Sequence, residues 1–463
     1  MAQSKRYSRR RFLRNMALAS GGATLTATHG KLGLMRSALA ATGNYSNLTD
    51  YKSLVCVYLF GGNDGFNMFV PNTTDEYDQY AAIRGSLSIP RASLLTTTGD
   101  QFGFHPAMPN VRDLYNSGRM AVLANVGTML EPTTREGIQN GSAVLPPDLF
   151  SHSHQTEMWH TNKPPIDGIT QDGWGGRMAD LLEEANSNPL VPPTFTVFGQ
   201  NNWQAGSFTE QFALNTFNGA EPFLFLTDSG TLPWEASRAQ AWNQLLSAYD
   251  SNILVREVGS SFSRARDQIA EVTAALDQAP AITTAYPANN FFAAQMKVVA
   301  EMIAVREILG MKRQLFFVGI GNWDTHGSQL VVHDRNLETL DAGLKSFNDT
   351  MDELNVADSV VSFTMSEFGR TLTVNGDGTD HAWGSHALMM GGPVIGNAVY
   401  GTMPQFVLNG PDDVGDDGRL IPTTSLDQYA ATLSKWMGIE PSDIAQLYPN
   451  VANFGTSDLG FLT

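Results

Sequence analysis

Three short groups of acids and histidines fall between Trp323 and His386: Trp323-Asp324-Thr325-His326-Gly327, Ser366-Glu367-Phe368-Gly369-Arg370 and Thr379-Asp380-His381, with His386 closing the stretch. Carboxylates and imidazoles in one region are the donor types that hold zinc, manganese, magnesium or calcium. Any single Asp–His pair reads better as a local hydrogen bond or a cap than as a pair of ligands. Three groups together point to convergence on a metal site, with Asp324, His326, Glu367, Asp380, His381 and His386 as candidate ligands. His333, at the start of a predicted helix, is expected at the surface.

Two earlier segments join this set. Gly61-Gly62-Asn63-Asp64-Gly65 follows an apolar run, and its glycines permit a tight turn and close backbone approach. Asp64 is read as a further metal ligand, against an Asx turn as the local alternative. Phe150-Ser151-His152-Ser153-His154 opens a predicted helix. Ser151 is either the helix cap or a nucleophile favoured by the helix N-terminus. Ser151 and His152 form the candidate catalytic pair, and His160 is read as structural.

Positioning these groups falls to strands that end just before them. Leu54–Phe60, Leu315–Ile320 and Val360–Met365 are continuous apolar runs, as central strands buried on both faces require. Val331–Leu354 reads as a helix between the last two, which implies a parallel strand–helix–strand unit. An open α/β sheet binds its ligands beyond the carboxyl ends of its strands. The expected fold is therefore α/β, with a doubly wound, mostly parallel sheet flanked by helices. Trp234–Ala279 and Asn289–Leu309 read as two long amphipathic helices, within a helical block at about 234–312. Residues 375–385 read as a loop. The acidic run Asp412–Asp417 lacks the spacing of a calcium-binding loop and is expected to be solvated surface.

Composition narrows the function classes. The 463-residue chain has a formal charge of −17, and eight of its 29 basic residues lie in the first 40 positions, where no acidic residue occurs. So acidic a body excludes nonspecific nucleic-acid binding, which depends on Lys and Arg at phosphates. One cysteine, Cys56, rules out an intrachain disulfide and a thiolate-rich zinc site. No apolar run is long enough to be a transmembrane segment. Residues 1–40 carry Ser8-Arg9-Arg10-Arg11-Phe12-Leu13, a modestly apolar stretch and Ala38-Leu39-Ala40, the pattern of a twin-arginine export signal with its cleavage site. The expected partner is the twin-arginine translocation machinery, and the expected location is periplasmic or extracellular.

Taken as a set, the export signal, Gly-Gly-Asn-Asp-Gly, Phe-Ser-His, Trp-Asp-Thr-His, Ser-Glu-Phe-Gly-Arg and Thr-Asp-His resemble a family of exported bacterial proteins. That family is classed as a domain of unknown function and is related to the alkaline phosphatase and sulfatase superfamily. The resemblance covers residues 51–463 and implies one alkaline phosphatase-like α/β domain with a two-metal site. Asp64 would then match the first-strand acidic ligand, and Ser151 the nucleophile. Asp324 and His326 would hold one metal, Glu367 would stand at the superfamily's Asp of an Asp-His pair, and His381 or His386 would supply the late histidine. Phe368 departs from the pattern, standing where the superfamily has the histidine of that pair. Either His381 replaces it, or one of the two metal positions is weakened or lost. The implied function is an exported metal-dependent hydrolase of phosphate or sulfate esters, on a small molecule or a glycan. The alternative is a non-catalytic envelope or surface assembly protein that keeps the fold and one metal.

Overall fold

A computed structural model of the chain describes residues 43–216, 220, 234–247 and 253–463. The export-signal reading falls outside these residues. The central element is a nine-stranded sheet. Its strands are β1 (Lys52–Leu59), β2 (Met120–Gly127), β3 (Thr194–Thr196), β4 (Phe212–Ala213), β5 (Arg313–Ile320), β6 (Val360–Met365), β7 (Ser385–Met390), β8 (Val399–Tyr400) and β9 (Thr424–Ser425). The order is β8-β2-β7-β6-β1-β5-β3-β4, with β9 also paired to β2. β1 runs parallel to both β5 and β6, with Cys56 opposite Phe317 on one side and Phe363 on the other. β7 is antiparallel to β6 and β2, and the other pairings in this sheet are parallel.

Side-chain alternation along β1 creates two cores. Val55, Val57 and Leu59 enter one, while Leu54, Cys56 and Tyr58 enter the other. The first core is closed by α1 (Pro109–Asn116), α4 (Phe291–Ala304) and α5 (Gln329–Glu353). Phe292, Met296, Val299 and Ile303 of α4 lie on the face at helical spacing, as do Leu337, Leu340, Leu344 and Phe347 of α5. The second is closed by α3 (Trp174–Leu182) and α6 (Leu426–Trp436), through Trp174, Met178, Leu426, Tyr429 and Leu433. Burying each such side chain contributes about 1.5–3 kcal/mol, and a one-residue slip of β1 would exchange its two faces, so the register is strongly held. The expected α/β sheet with helices on both faces is what the chain forms.

Three expectations change. The segment beginning at Trp234 forms helices Glu235–Ser247 and Ile253–Leu276, with residues 248–252 outside those described. The stretch expected to be a loop up to residue 385 ends in the antiparallel β7, which takes His386 into the sheet. Asp413, expected in solvated surface, is fully buried, and its carboxylate accepts the backbone N–H groups of Asn409, Gly415 and Gly418. No helix among the described residues is long and apolar enough to cross a membrane.

Candidate metal centre

Because β1, β5 and β6 are parallel, their carboxyl ends share one edge of the sheet. Gly61–Asp64, Trp323–His326 and Ser366–Arg370 leave from that edge. The helix α2 (His152–Thr161) brings its first residue to the same place. His381 arrives on the chain between Arg370 and β7.

The donors converge on Asp324. His326 Nε2 lies 3.1 Å and His381 Nε2 3.3 Å from Asp324 Oδ1, and the two nitrogens are 2.9 Å apart. His152 Nε2 is 3.5 Å from the other oxygen, Oδ2. Ligand atoms of His152, Asp324 and His381 all fall within 4.8 Å of one another. Asp324 and His326 are about half exposed, at 46% and 47%, so the cluster opens to solvent.

The outer nitrogens settle the tautomers. His381 Nδ1 is 2.8 Å from the Phe150 carbonyl, which can only accept, so Nδ1 carries the proton and Nε2 the lone pair. His326 Nδ1 faces Asp380 Oδ1 at 3.2 Å, and His152 Nδ1 faces Glu367 Oε1 at 2.9 Å, so each of these rings also carries a proton on Nδ1. Nitrogen lone pairs and a carboxylate oxygen meeting at about 3 Å repel unless a proton on one imidazole or a bound cation sits among them. Donors of a tetrahedral zinc site stand roughly 3.4 Å apart, close to these separations. A ligating histidine usually gives its other N–H to a carboxylate or carbonyl, as all three do here. The residues therefore fit a divalent ion, and the two imidazoles with one carboxylate suit zinc better than magnesium or calcium.

Arg370 organises the surroundings. It is fully buried. Its guanidinium donates to Asp324 Oδ1 at 2.5 Å and to the carbonyls of Gly61, Gly62, Trp323 and Thr379. Burial pushes the Asp324 carboxyl upward, but the hydrogen bond and charge of Arg370 outweigh it and hold the group below the usual carboxylate range. The hydrogen bond that His152 donates to Glu367 is the main cause that raises His152. Burial lowers His381. Glu367, only 3% exposed, also accepts the Gly61 N–H at 2.8 Å. It orients His152 rather than facing Asp324.

Asp64 and His386 stand apart from the cluster. The Asp64 carboxylate is buried between Arg84 at 2.5 Å and Gln329 at 2.6 Å, so a guanidinium neutralises it where an ion had been expected. His386 accepts the Asn125 N–H through Nδ1 at 3.1 Å, which leaves the proton on Nε2, against the Phe66 ring. Burial pushes it down to about 3, and it has no lone pair to offer. Asp380 acts through His326. The Ser151 Oγ meets Ser153 Oγ at 3.2 Å and makes no hydrogen bond to the cluster among the described residues. Ser151 does not cap its helix with a side-chain bond either. His333, expected at the surface, is 2% exposed, with Nε2 3.1 Å from Asn63 Oδ1. Arg370, Arg84 and Gln329 carried no expected role. Only Arg370 had a signal, a charged residue closing an otherwise buried motif.

Gly62 has a steric duty. Its φ is +86°, and a Cβ there would lie 2.4 Å from Cε2 of the Phe368 ring. Gly62→Ala is expected to cost about 1–3 kcal/mol through the clash and the left-handed backbone. Urea unfolding would show it as a lowered midpoint, and an unchanged midpoint would refute the close packing.

Residues 51–444 match DUF1501, a family of proteins of unknown function, and the chain belongs to it. No curated protein matches the sequence. Similar solved structures include the PsFucS1 sulfatase from Pseudoalteromonas, at 10% identity over 95% of this chain and 73% of that one, with a TM-score of 0.34. The lipoteichoic acid synthase LtaP from Listeria monocytogenes is 9% identical over 87% and 76%, with a TM-score of 0.34. A protein in the alkaline phosphatase superfamily from Vibrio parahaemolyticus is 12% identical over 85% and 68%, with a TM-score of 0.31. Likeness at this level ties the chain to no particular activity.

Proposed function

We propose that this protein is an exported metal-dependent hydrolase that holds one divalent ion through Asp324, His326 and His381. The observation that carries the reading is the convergence of imidazole Nε2 atoms, each with its Nδ1 held by an acceptor, on the Asp324 carboxylate. A bound ion supplies Lewis-acid stabilisation to an ester oxygen. His152, held by Glu367 beside the cluster, takes up and returns a proton at Nε2. Ser151 precedes it on the same helix and is the nucleophile of this reading, which requires its hydroxyl to leave Ser153 by a change of rotamer. Phosphate and sulfate esters, of small molecules or glycans, are the substrate class. The export signal at residues 1–40 and the twin-arginine machinery would place the activity in the periplasm or outside the cell.

The resemblance implied two metals. One is favoured here because Arg84 occupies the charge of Asp64, and Phe368 offers no lone pair. Metal content by mass spectrometry, on protein purified without chelator, tests this. The expected result is about one equivalent, lost in His326→Ala and His381→Ala but kept in His152→Ala, which loses ester turnover instead. No ion would remove the reading, and two would remove its single-ion form. A second reading, a non-catalytic envelope or surface assembly protein that retains one ion, is favoured by the Ser151–Ser153 contact. It predicts a bound ion with no turnover of any phosphate or sulfate ester.

A further inference from the structure

Phe368 cannot ligate a metal, yet it is 1% exposed at the middle of the cluster. Its ring stacks on His381, with centroids 4.5 Å apart and planes at 27°. The same ring lies 4.8 Å from His152, tilted by 49°. His152 and His381 meet each other edge to face at 4.4 Å. The three rings thus form one block under the Asp324 carboxylate.

The hydrogen bonds already described leave one freedom open. A contact from Nδ1 to the Phe150 carbonyl fixes the direction of one atom of His381, but not rotation of the ring about that contact. A flat surface against the ring removes this rotation. The same holds for His152 and its bond to Glu367. The backbone around Phe368 is itself pinned. Glu367 accepts from Gly61, while Gly369 donates to the Trp383 carbonyl at 3.1 Å and accepts from Ala382 N at 2.8 Å, on the segment that carries His381. Gly62 leaves the space in which the ring sits.

We infer that Phe368 is a positioning residue: seated against Gly62, its ring sets the planes of the His152 and His381 imidazoles so that both Nε2 atoms face Asp324. The inference rests on the proposed metal site. It gives each member of Glu367-Phe368-Gly369-Arg370 a separate task around one carboxylate.

Zinc affinity by calorimetry and the visible spectrum of the cobalt-loaded protein test it, on the full mature chain. Phe368→Leu keeps an apolar side chain but removes the flat ring. It is expected to weaken zinc binding about tenfold or more, in the range seen for groups that orient metal ligands, and to change the cobalt spectrum. Phe368→Tyr keeps the flat ring without adding an imidazole donor and is expected to retain most of the affinity with one ion per chain. Wild-type zinc affinity and cobalt spectrum in Phe368→Leu, with only a lower melting temperature, would reduce Phe368 to core filling and overturn the inference. Equal losses in the Leu and Tyr variants would overturn it as well, since planarity would not matter. Proton NMR of the metal-free protein separates this from failure of the metal site. Ring-current shifts of the His381 protons that vanish in Phe368→Leu support the stack even if wild type takes up no ion, and their absence from wild type overturns it.

Discussion

Arg370→Met is expected to lower the unfolding free energy by about 4 kcal/mol, because it strips the buried donor from four carbonyls, while the lost charge pairing with the half-exposed Asp324 adds little. The guanidinium holds Asp324 and reaches Gly61, Gly62, Trp323 and Thr379, so the loops after β1 and β5 and the chain leading to His381 meet on one side chain. Methionine fills part of the volume and satisfies none of these groups. Against a typical total stability of 5–15 kcal/mol, such a loss would leave the protein insoluble or melting roughly 10 °C lower. Arg370→Lys should be intermediate: an ammonium keeps the charge next to Asp324 but lacks the planar fork that reaches four carbonyls. Calorimetric melting of the wild type and both variants is the measurement. A methionine variant that melts within about 2 °C of wild type would show that these loops are held by something else.

Acid should unfold the protein well above the pH at which its surface carboxylates titrate. Burial holds four histidines neutral: His105 at about 4, His160 and His386 at about 3, and His333 well below its ordinary value. A histidine whose folded value is depressed contributes stability above its unfolded value of about 6.5 and loses it as pH falls. Two aspartates work the other way. Burial raises Asp180 to about 6 and Asp427 to about 7, so their contribution is present at low pH and is lost as pH rises through those values. His152, raised by Glu367, likewise contributes below about 6.5 and loses that contribution above its folded value. Between pH 6 and 5 the four histidines outweigh the two aspartates by about two protons taken up on unfolding. That corresponds to a fall of about 2–3 kcal/mol per pH unit. Urea unfolding of the metal-free protein at pH 6 and pH 5 measures it, and a flat or rising unfolding free energy across that interval would sink the expectation.

Much of the scaffold is legible along the chain because it depends on local pattern. The apolar runs 54–60, 315–320 and 360–365 are long enough to be strands and too short to be core helices, and each is followed by chemically distinctive residues. Parallel pairing then puts those residues at one edge. The antiparallel β7 was not legible. Ser385-His386-Ala387-Leu388-Met389-Met390 has no clear alternation, and its pairing with β6 and β2 is a long-range event. Missing it turned His386 from a buried strand residue into an apparent ligand.

The sequence by itself determined which chemistry is available at this site: acids, imidazoles and hydroxyls, with one buried cysteine and no thiolate cluster. It also determined the sheet edge at which they gather, since strand runs and the groups that follow them are contiguous in the chain. Only the tertiary structure decided the partner of each group. Asp64 is taken by Arg84, 20 residues away, and by Gln329, 265 residues away, both buried with it, whereas Asp324, also held by Arg370, keeps a half-exposed side facing three histidines. A carboxylate reads the same in sequence whether a guanidinium or an ion is to neutralise it. The choice rests on which side chains long-range packing brings within about 3 Å, and on whether burial leaves them a proton or a lone pair to present.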